Sequence, residues 1–171
     1  MAASSSKSKS VFVTVGTTCF DRLIMTVITP DFCKVLHSIG YDKVVLQAGR
    51  GIFDSDVKMV EGLQLEYYRF KNSIADDIGS ADLVISHAGA GTVLETLDAG
   101  KPLIVVINEE LMGNHQLELA EQLYTNGHLF YATCSTLVTT LQSMNMENLK
   151  PFPRGEPSKF ATFLDKLLGF S

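Results

Sequence analysis

Short apolar runs recur along the chain, and helical patterns separate them. The runs are VFVTV (11–15), KVVLQ (43–47), LEYYRF (65–70), DLVIS (82–86), LIVVI (103–107) and HLFY (128–131). Most of them are apolar at consecutive positions, which is typical of strands that are buried on both faces. Helical patterns occupy residues 20–28, 30–40, 90–99 and 114–125. Because strands alternate with helices, the sequence predicts a doubly wound, Rossmann-like α/β fold with a mostly parallel sheet.

The expected domain organisation is one α/β domain with a tail at each end. Residues 1–10 are small and polar and predict a disordered tail, and the domain is expected to span residues 11–149. A proline-rich linker opens the last segment, 150–171, in which apolar residues again repeat at helical spacing. These apolar residues are Phe160, Phe163, Leu164, Leu167 and Leu168. This last helix either folds back on the sheet or docks on a partner protein.

Composition narrows the class of protein. The 171 residues include 46% hydrophobic residues, enough for a sizeable core, and the net charge of -5 argues against a nucleic-acid partner. No apolar run approaches the roughly 20 residues of a membrane-spanning helix, and the N-terminus lacks the apolar core of a signal peptide. The three cysteines are widely spaced, which favours reduced thiols in the cytosol over a disulfide framework or a zinc site.

The segment SHAGAGTVLETLDAGKP (86–102) carries the strongest functional signal. It places His87 at the carboxyl end of a predicted strand, and Gly89 and Gly91 where the next helix begins. Glycines allow a tight turn and close approach of the backbone to a ligand, and a helix N-terminus attracts phosphate. Glu95, one turn into the helix, suits two vicinal ribose hydroxyls. The segment therefore predicts a nucleoside diphosphate site, and the alternative is a purely structural turn in which Glu95 serves the helix dipole.

Two other loops follow strands at the same edge of the predicted sheet. VGTT (15–18) offers backbone amides and hydroxyls, and NEELMGNHQLE (108–118) offers polar side chains suited to sugar hydroxyls. The candidate binding residues in these loops are Gly16, Thr17, Thr18, Asn114, His115 and Gln116. The alternatives are a plain turn for the first loop and helix capping by Asn114 for the second. QAGRG (47–51), which follows the second predicted strand, is a third candidate ligand loop.

Several familiar motifs are absent or weak. GAGTVL lacks the third glycine of a dinucleotide fingerprint, and Gln47 stands where a dehydrogenase would have an acidic residue, which disfavours an NAD-dependent oxidoreductase. No P-loop and no Gly-x-Ser-x-Gly occurs. Asp54 and Asp56 resemble a metal motif, but no metal site is expected. Asp76 and Asp77 are expected to be solvated.

The motifs FVTVGTT, ADLVISHAGAGT, GKPLIVVIN, NHQLELA, GHLFY and KFATFLDKLLG together resemble a known family. They are similar to the donor-binding half of two-domain (GT-B) nucleotide-sugar glycosyltransferases, including the bacterial enzyme that adds N-acetylglucosamine to lipid II. The resemblance is greatest to the small cytosolic subunits of the eukaryotic UDP-N-acetylglucosamine transferase, and it spans residues 11–170.

The resemblance implies roles for individual residues. His87 would face the donor phosphates as the catalytic residue, and Glu95 would hold the ribose. The backbone near Phe70 and Lys71 would bind the uracil. The phosphate cradle would comprise Gly89, Ala90, Gly91 and Thr92, and the donor sugar would lie near His115 and Gln116. The chain departs from the bacterial enzyme at His115, where that relative has a glutamine, and at Gly91, where it has a larger residue.

The resemblance also implies an activity and a partner. Such a subunit transfers N-acetylglucosamine from UDP-N-acetylglucosamine to dolichol-pyrophosphate-linked N-acetylglucosamine, without a metal or other cofactor. A membrane-anchored, acceptor-binding subunit would recruit it to the cytosolic face of the endoplasmic reticulum, docked through the C-terminal helix. The chain is long enough for only one of the two sheets of such transferases, so we expect it to be inactive alone. The alternative is a nucleotide-binding regulatory or scaffold module without catalytic activity.

Overall fold

The computed structural model describes residues 8–16, 20–50, 59–108 and 114–151. Strands and helices alternate through most of this part of the chain. In chain order the elements are β1 (Lys9–Thr14), α1 (Asp21–Val27), α2 (Pro30–Ser38), β2 (Tyr41–Gln47), β3 (Met59–Val60), β4 (Leu63–Tyr68), α3 (Ala75–Ser80), β5 (Leu83–His87), α4 (Ala90–Asp98), β6 (Leu103–Ile107), α5 (Asn114–Thr125), β7 (Phe130–Thr133), α6 (Leu137–Ser143) and a 3-10 turn (Met146–Asn148).

The described strands form one sheet in the order β3-β4-β2-β1-β5-β6-β7. Every pairing is parallel except that of β3 with β4. From β1 the chain builds outward through β2 and β4 on one side, and then through β5, β6 and β7 on the other. The strand order therefore reverses between β1 and β5, and in open α/β sheets ligands bind outside the carboxyl ends of the strands at such a switch point.

Helices cover both faces of the sheet. Val11 and Val13 of β1 pack into a cluster with the apolar residues of α1, α2 and α6, such as Leu23, Phe32 and Leu137. Phe12, which points to the opposite face, packs with apolar residues of α3, α4 and α5. All three β1 residues are almost completely buried. This two-sided burial is the reason for the continuous apolar runs, and the predicted doubly wound fold is confirmed.

Local signals set the bounds of α2. Thr29 caps the helix, since its side chain accepts a hydrogen bond from the Phe32 amide at 3.3 Å, and Pro30 occupies the first turn, where its missing N–H costs nothing. Gly40 follows the helix with a φ of 107°, a conformation that favours glycine. The predicted start at Pro30 and closure by Gly40 are both confirmed.

Four short elements were not predicted: β3, α3, α6 and the 3-10 turn. Each is too short for a clear period, and in α3 only Ile78 is buried. Lys9 and Ser10 were predicted to lie in the disordered tail but belong to β1, where the Ser10 amide also donates to Asp82 Oδ2 at 2.9 Å. The C-terminal helix predicted within 158–171 and most of the linker lie outside the described residues.

None of the described helices is both long enough and apolar enough to cross a membrane.

Candidate functional site

A cleft of about 420 Å³ lies at the carboxyl ends of β1 and β5, at the switch point of the sheet. Eight of the residues predicted for the site line this cleft, together with four others. The predicted ones are Gly16, Phe70, Lys71, His87, Gly89, Gly91, Thr92 and Glu95, and the others are Gln47, Asn72, Ser73 and Ile74. Segments far apart in the sequence therefore meet at the edge of the sheet that the motifs indicated.

The imidazole of His87 lies in a slot between two glycines. A β-carbon on Gly16 would stand 2.7 Å from His87 Cε1, and one on Gly89 would overlap Nε2. Gly16 also has a φ of 67°, in the left-handed region that side chains disfavour. The sequence predicted that these glycines let a ligand approach the backbone. In the structure, their lack of side chains makes room for the His87 ring.

Burial controls the protonation of His87. Removal from water lowers the pKa of the imidazole below its ordinary value of 6.5, and a hydrogen bond to the Thr14 carbonyl opposes this only in part. The ring is therefore neutral at neutral pH. A neutral imidazole has one N–H donor, and the bond to the Thr14 carbonyl uses it. Donation from the other ring nitrogen to an anionic ligand therefore requires a protonated ring, a form that a nearby phosphate charge favours.

The N-terminus of α4 opens onto the same cleft. Gly89 occupies the N-cap position, and no side chain caps the helix. Its first backbone amides thus lack the usual capping partner, and the helix dipole adds partial positive charge at this end. Apart from Gly91 itself, its chain neighbours and the backbone of α4, no heavy atom of the described residues lies within 4 Å of the place that a β-carbon on Gly91 would occupy. The backbone at Gly91 is therefore open to a phosphate group.

Glu95 presents an exposed carboxylate to the cleft from α4. It follows Thr92 by three residues, so the two lie on one face of the helix. Thr92 is also tied into the helix, because the Thr96 hydroxyl donates to its carbonyl at 2.8 Å. Glu95 lies just over one helical turn from the start of α4 at Ala90.

The opposite wall of the cleft contains Lys71. Its Nζ lies 3.1 Å from Asp77 Oδ2 and 4.3 Å from the centroid of the Tyr68 ring. The Tyr68 hydroxyl donates to the same Asp77 carboxylate. The pKa of Tyr68 is raised, mainly because the residue is buried and secondly because of this hydrogen bond. The expectation that Asp77 is solvated was therefore wrong: its side chain is only 16% exposed and serves to orient Lys71.

Gln47 lines the cleft, but the motif analysis did not name it as a site residue. It was considered only as the first residue of a candidate ligand loop (47–51) and as the absence of an acidic residue. In the structure its side chain is 3% exposed and bonds to Gly16, Thr14 and Arg69. The sequence did contain a signal for this role: Gln47 is a long polar residue at the end of an otherwise apolar strand. A polar side chain that is buried at such a position needs hydrogen-bond partners.

The remaining predicted residues are described only in part. Thr17 and Thr18 lie outside the described residues, as do Asp54 and Asp56. The backbone at positions 114–116 forms the start of α5, after β6, whereas the side chains of Asn114, His115 and Gln116, and that of Ala90, lie outside the description. Within the described ranges, no group of three or more His, Cys, Asp or Glu residues is arranged to hold a metal ion.

Comparison with known proteins identifies the family. The family model of the glycosyltransferase family 28 C-terminal domain matches residues 10–167, nearly the whole chain. The chain belongs to this family.

Curated relatives refine the assignment within the family. The UDP-N-acetylglucosamine transferase subunit ALG13 of Cryptococcus neoformans is 31% identical over 94% of this chain and 97% of its own length, so the chain and this protein belong to one family. The human ALG13 subunit is 55% identical over 81% of this chain. That alignment covers only 12% of the human protein, so the chain spans about an eighth of this longer relative.

Solved structures agree with the fold. An NMR solution structure of ALG13 superposes with a TM-score of 0.73 and 27% identity, covering 95% of this chain and 98% of the other. MurG of Acinetobacter baumannii superposes with a TM-score of 0.67 and 20% identity, covering 95% of this chain but 50% of that chain. The chain thus has the fold of one half of a larger glycosyltransferase of the GT-B type.

Proposed function

We propose that the cleft binds UDP-N-acetylglucosamine and that this chain is the donor-binding, catalytic subunit of a heteromeric glycosyltransferase. The observation that carries the proposal is the meeting of His87, the open N-terminus of α4 and Glu95 in one cleft at the switch point. The printed names of the human and Cryptococcus neoformans relatives, both UDP-N-acetylglucosamine transferase subunits, support the identity of the donor.

The donor would lie along the cleft with its diphosphate at the N-terminus of α4. Amides around Gly89 and Gly91 would bind the phosphates, and the His87 ring, protonated when the phosphates are bound, would donate a further hydrogen bond. The Glu95 carboxylate would accept from the ribose hydroxyls, and Lys71 would lie at the uracil end. The other residues proposed for the donor are Thr17, Thr18, Ala90 and Thr92 at the phosphates and Asn114, His115 and Gln116 at the sugar.

Catalysis would depend on stabilising the leaving group. Transfer breaks the bond between the sugar anomeric carbon and the β-phosphate oxygen. The oxygen of the acceptor hydroxyl forms the new bond to that carbon, and its proton is released to solvent. Negative charge grows on the departing uridine diphosphate, and fixed donors aimed at that position lower the barrier. We propose that the α4 amides and His87 supply this stabilisation without a resident metal, so that excess chelator should leave turnover unchanged.

The acceptor and its membrane would be contributed by another protein. We propose that the acceptor is dolichol-pyrophosphate-linked N-acetylglucosamine and that a membrane-anchored subunit presents it at the cytosolic face of the endoplasmic reticulum. The sheet described here corresponds to one of the two that enclose the cleft of a GT-B transferase. The word subunit in the relatives' names agrees with an assembly of more than one chain. Residues 158–171 are the proposed docking element.

Reconstitution tests the function directly. Transfer of labelled N-acetylglucosamine to the dolichol-linked acceptor should be negligible with the full chain alone and robust once the membrane subunit is present. Turnover by the chain alone would contradict the need for a partner. Donor binding without turnover in the complete assembly would instead identify a non-catalytic nucleotide-binding module. Deletion of residues 158–171 should abolish co-purification with the membrane subunit, whereas surviving co-purification would reject this segment as the docking element.

A further inference from the structure

The side-chain amide of Gln47, at the end of β2, uses all of its hydrogen-bonding groups. Its Oε1 accepts from the Gly16 amide at 2.9 Å and from the Thr14 hydroxyl. Its Nε2 donates to the Gly16 carbonyl at 2.8 Å and to the Arg69 carbonyl at 2.6 Å. A glutamine amide has two donor hydrogens and one acceptor oxygen, so this buried group is fully satisfied.

These bonds join three strand ends around the cleft. Gly16 follows β1, Gln47 ends β2, and Arg69 follows β4. The strands pair in register, with Thr14 opposite Gln47 and Gln47 opposite Tyr68, which brings both loops within reach of one side chain. Residues 70–74 continue from Arg69 and form the wall of the cleft that contains Lys71.

The Gly16 turn in turn limits the position of His87. Gly16 binds both ends of the Gln47 amide, through its own N–H and its own C=O, and holds a φ of 67°. The same residue faces the His87 ring so closely that a β-carbon would stand 2.7 Å from Cε1. A change in the Gly16 turn therefore alters the slot that confines the imidazole.

We propose that Gln47 is a positioning residue of the donor site, which fixes the Gly16 turn and thereby holds the His87 imidazole in place for the donor phosphates. The assignment to phosphates rests on the proposed function. Gln47 itself need not touch the donor, because its hydrogen-bonding groups are already engaged. It acts on the site through the Gly16 turn and, by way of Arg69, through the Lys71 wall.

Two substitutions in the full chain test this role. Gln47→Met has a similar length but removes all four bonds, and Gln47→Glu keeps the shape but loses both donors. The matched control is Val44→Ala, which removes fully buried side-chain volume from the same strand without touching either loop. The measurements are the NMR titration of the His87 imidazole in the unliganded chain and the affinity for uridine diphosphate by calorimetry. The charged side chains that line the same cleft, Lys71 and Glu95, are retained in every variant.

A positioning role predicts a specific pattern. Gln47→Met should raise the pKa of His87 toward its ordinary value. Burial is the larger cause of the lowered pKa, and a loosened slot admits water to the ring. The substitution should also weaken uridine diphosphate binding by about tenfold or more. Val44→Ala should lower the melting temperature but leave both measurements unchanged. If Gln47 only stabilised the fold, Gln47→Met would lower the melting temperature and leave both measurements unchanged, as Val44→Ala does.

The outcomes separate this proposal from the proposed function. A folded Gln47→Met chain with an unchanged His87 titration and unchanged affinity would overturn the positioning role. If Gln47→Met does not fold, the same comparison applies to Gln47→Glu. A second measurement uses wild type: NMR that detects no through-bond couplings from Gln47 Nε2 to the Gly16 and Arg69 carbonyls would also overturn the positioning role. If wild type binds no uridine diphosphate, the proposed function fails, and the His87 titration still tests Gln47.

Discussion

Gly89 lies against the imidazole of His87 so closely that a β-carbon on residue 89 would overlap Nε2 of the ring. Two residues further on, Gly91 has open space where its β-carbon would be. The two glycines of one motif therefore serve different purposes. The first makes room for a protein side chain, and the second leaves backbone accessible from the cleft. Alanine substitutions at these two positions form a matched pair that separates the two roles.

Gly89→Ala should destabilise the fold and disturb the site together. The added methyl group must displace the His87 ring, and overpacking of this kind costs about 1–3 kcal/mol of unfolding free energy. Uridine diphosphate affinity should fall as well, because the ring no longer lies beside the α4 N-terminus. Urea unfolding and calorimetry measure the two effects. Wild-type values of both would show that the ring does not occupy this slot.

Gly91→Ala should have opposite effects on stability and on binding. Alanine in a helix is more stable than glycine by about 0.5–1 kcal/mol, and nothing obstructs the new methyl group in the unliganded chain. The same methyl group projects toward the space assigned to the phosphates, so uridine diphosphate binding should weaken. A more stable variant with unchanged affinity would exclude close approach of the ligand at Gly91.

Acidification should destabilise wild type through His87. The folded chain holds the pKa of this imidazole below its ordinary value of 6.5, so the neutral form is favoured on folding. The associated stability is fully present above the unfolded pKa and is lost as the pH falls through that value toward the folded pKa. His87→Gln lacks this component. Urea unfolding of both chains between about pH 8 and 5 should therefore show a greater loss of stability for wild type. Parallel pH profiles would contradict the burial of the neutral ring.

Glu95→Gln should weaken the binding of uridine diphosphate without unfolding the chain. Loss of a charge-assisted hydrogen bond to the ribose corresponds to about 1.5–3 kcal/mol, or roughly 10- to 100-fold in affinity. Asp98→Asn is the matched control, since Asp98 is also an exposed acidic residue of α4 but does not line the cleft. Calorimetry that finds equal affinities for both variants would reject the ribose role of Glu95.

The sequence predicted the architecture because its strongest signals are local. A strand buried on both faces requires apolar residues at consecutive positions, as in β6, where the predicted run 103–107 coincides with the observed strand. The short antiparallel β3 has only two residues, Met59 and Val60, and no local pattern distinguishes so short a strand from a loop. Likewise α3 buries only Ile78, so it lacks the apolar period by which a helix is recognised.

The sequence also predicted which loops would form the cleft, but not how its residues contact one another. The slot around His87 exists because β1 lies beside β5, with Thr14 opposite Ser86, and this pairing joins distant parts of the chain. The bonds of Gln47 likewise depend on its position opposite Thr14 in the neighbouring strand. Such contacts follow from strand order and register, which the periodicity of single segments does not specify.

Titration of uridine diphosphate into the isotope-labelled full chain, followed by backbone NMR, tests the central claim most directly. The account predicts saturable shifts at Gly16, His87, Gly89, Gly91 and Glu95, with signals of β7, far along the sheet, unchanged. Absence of saturable shifts, or shifts confined to residues outside the cleft, would contradict the assignment of this cleft as the donor site.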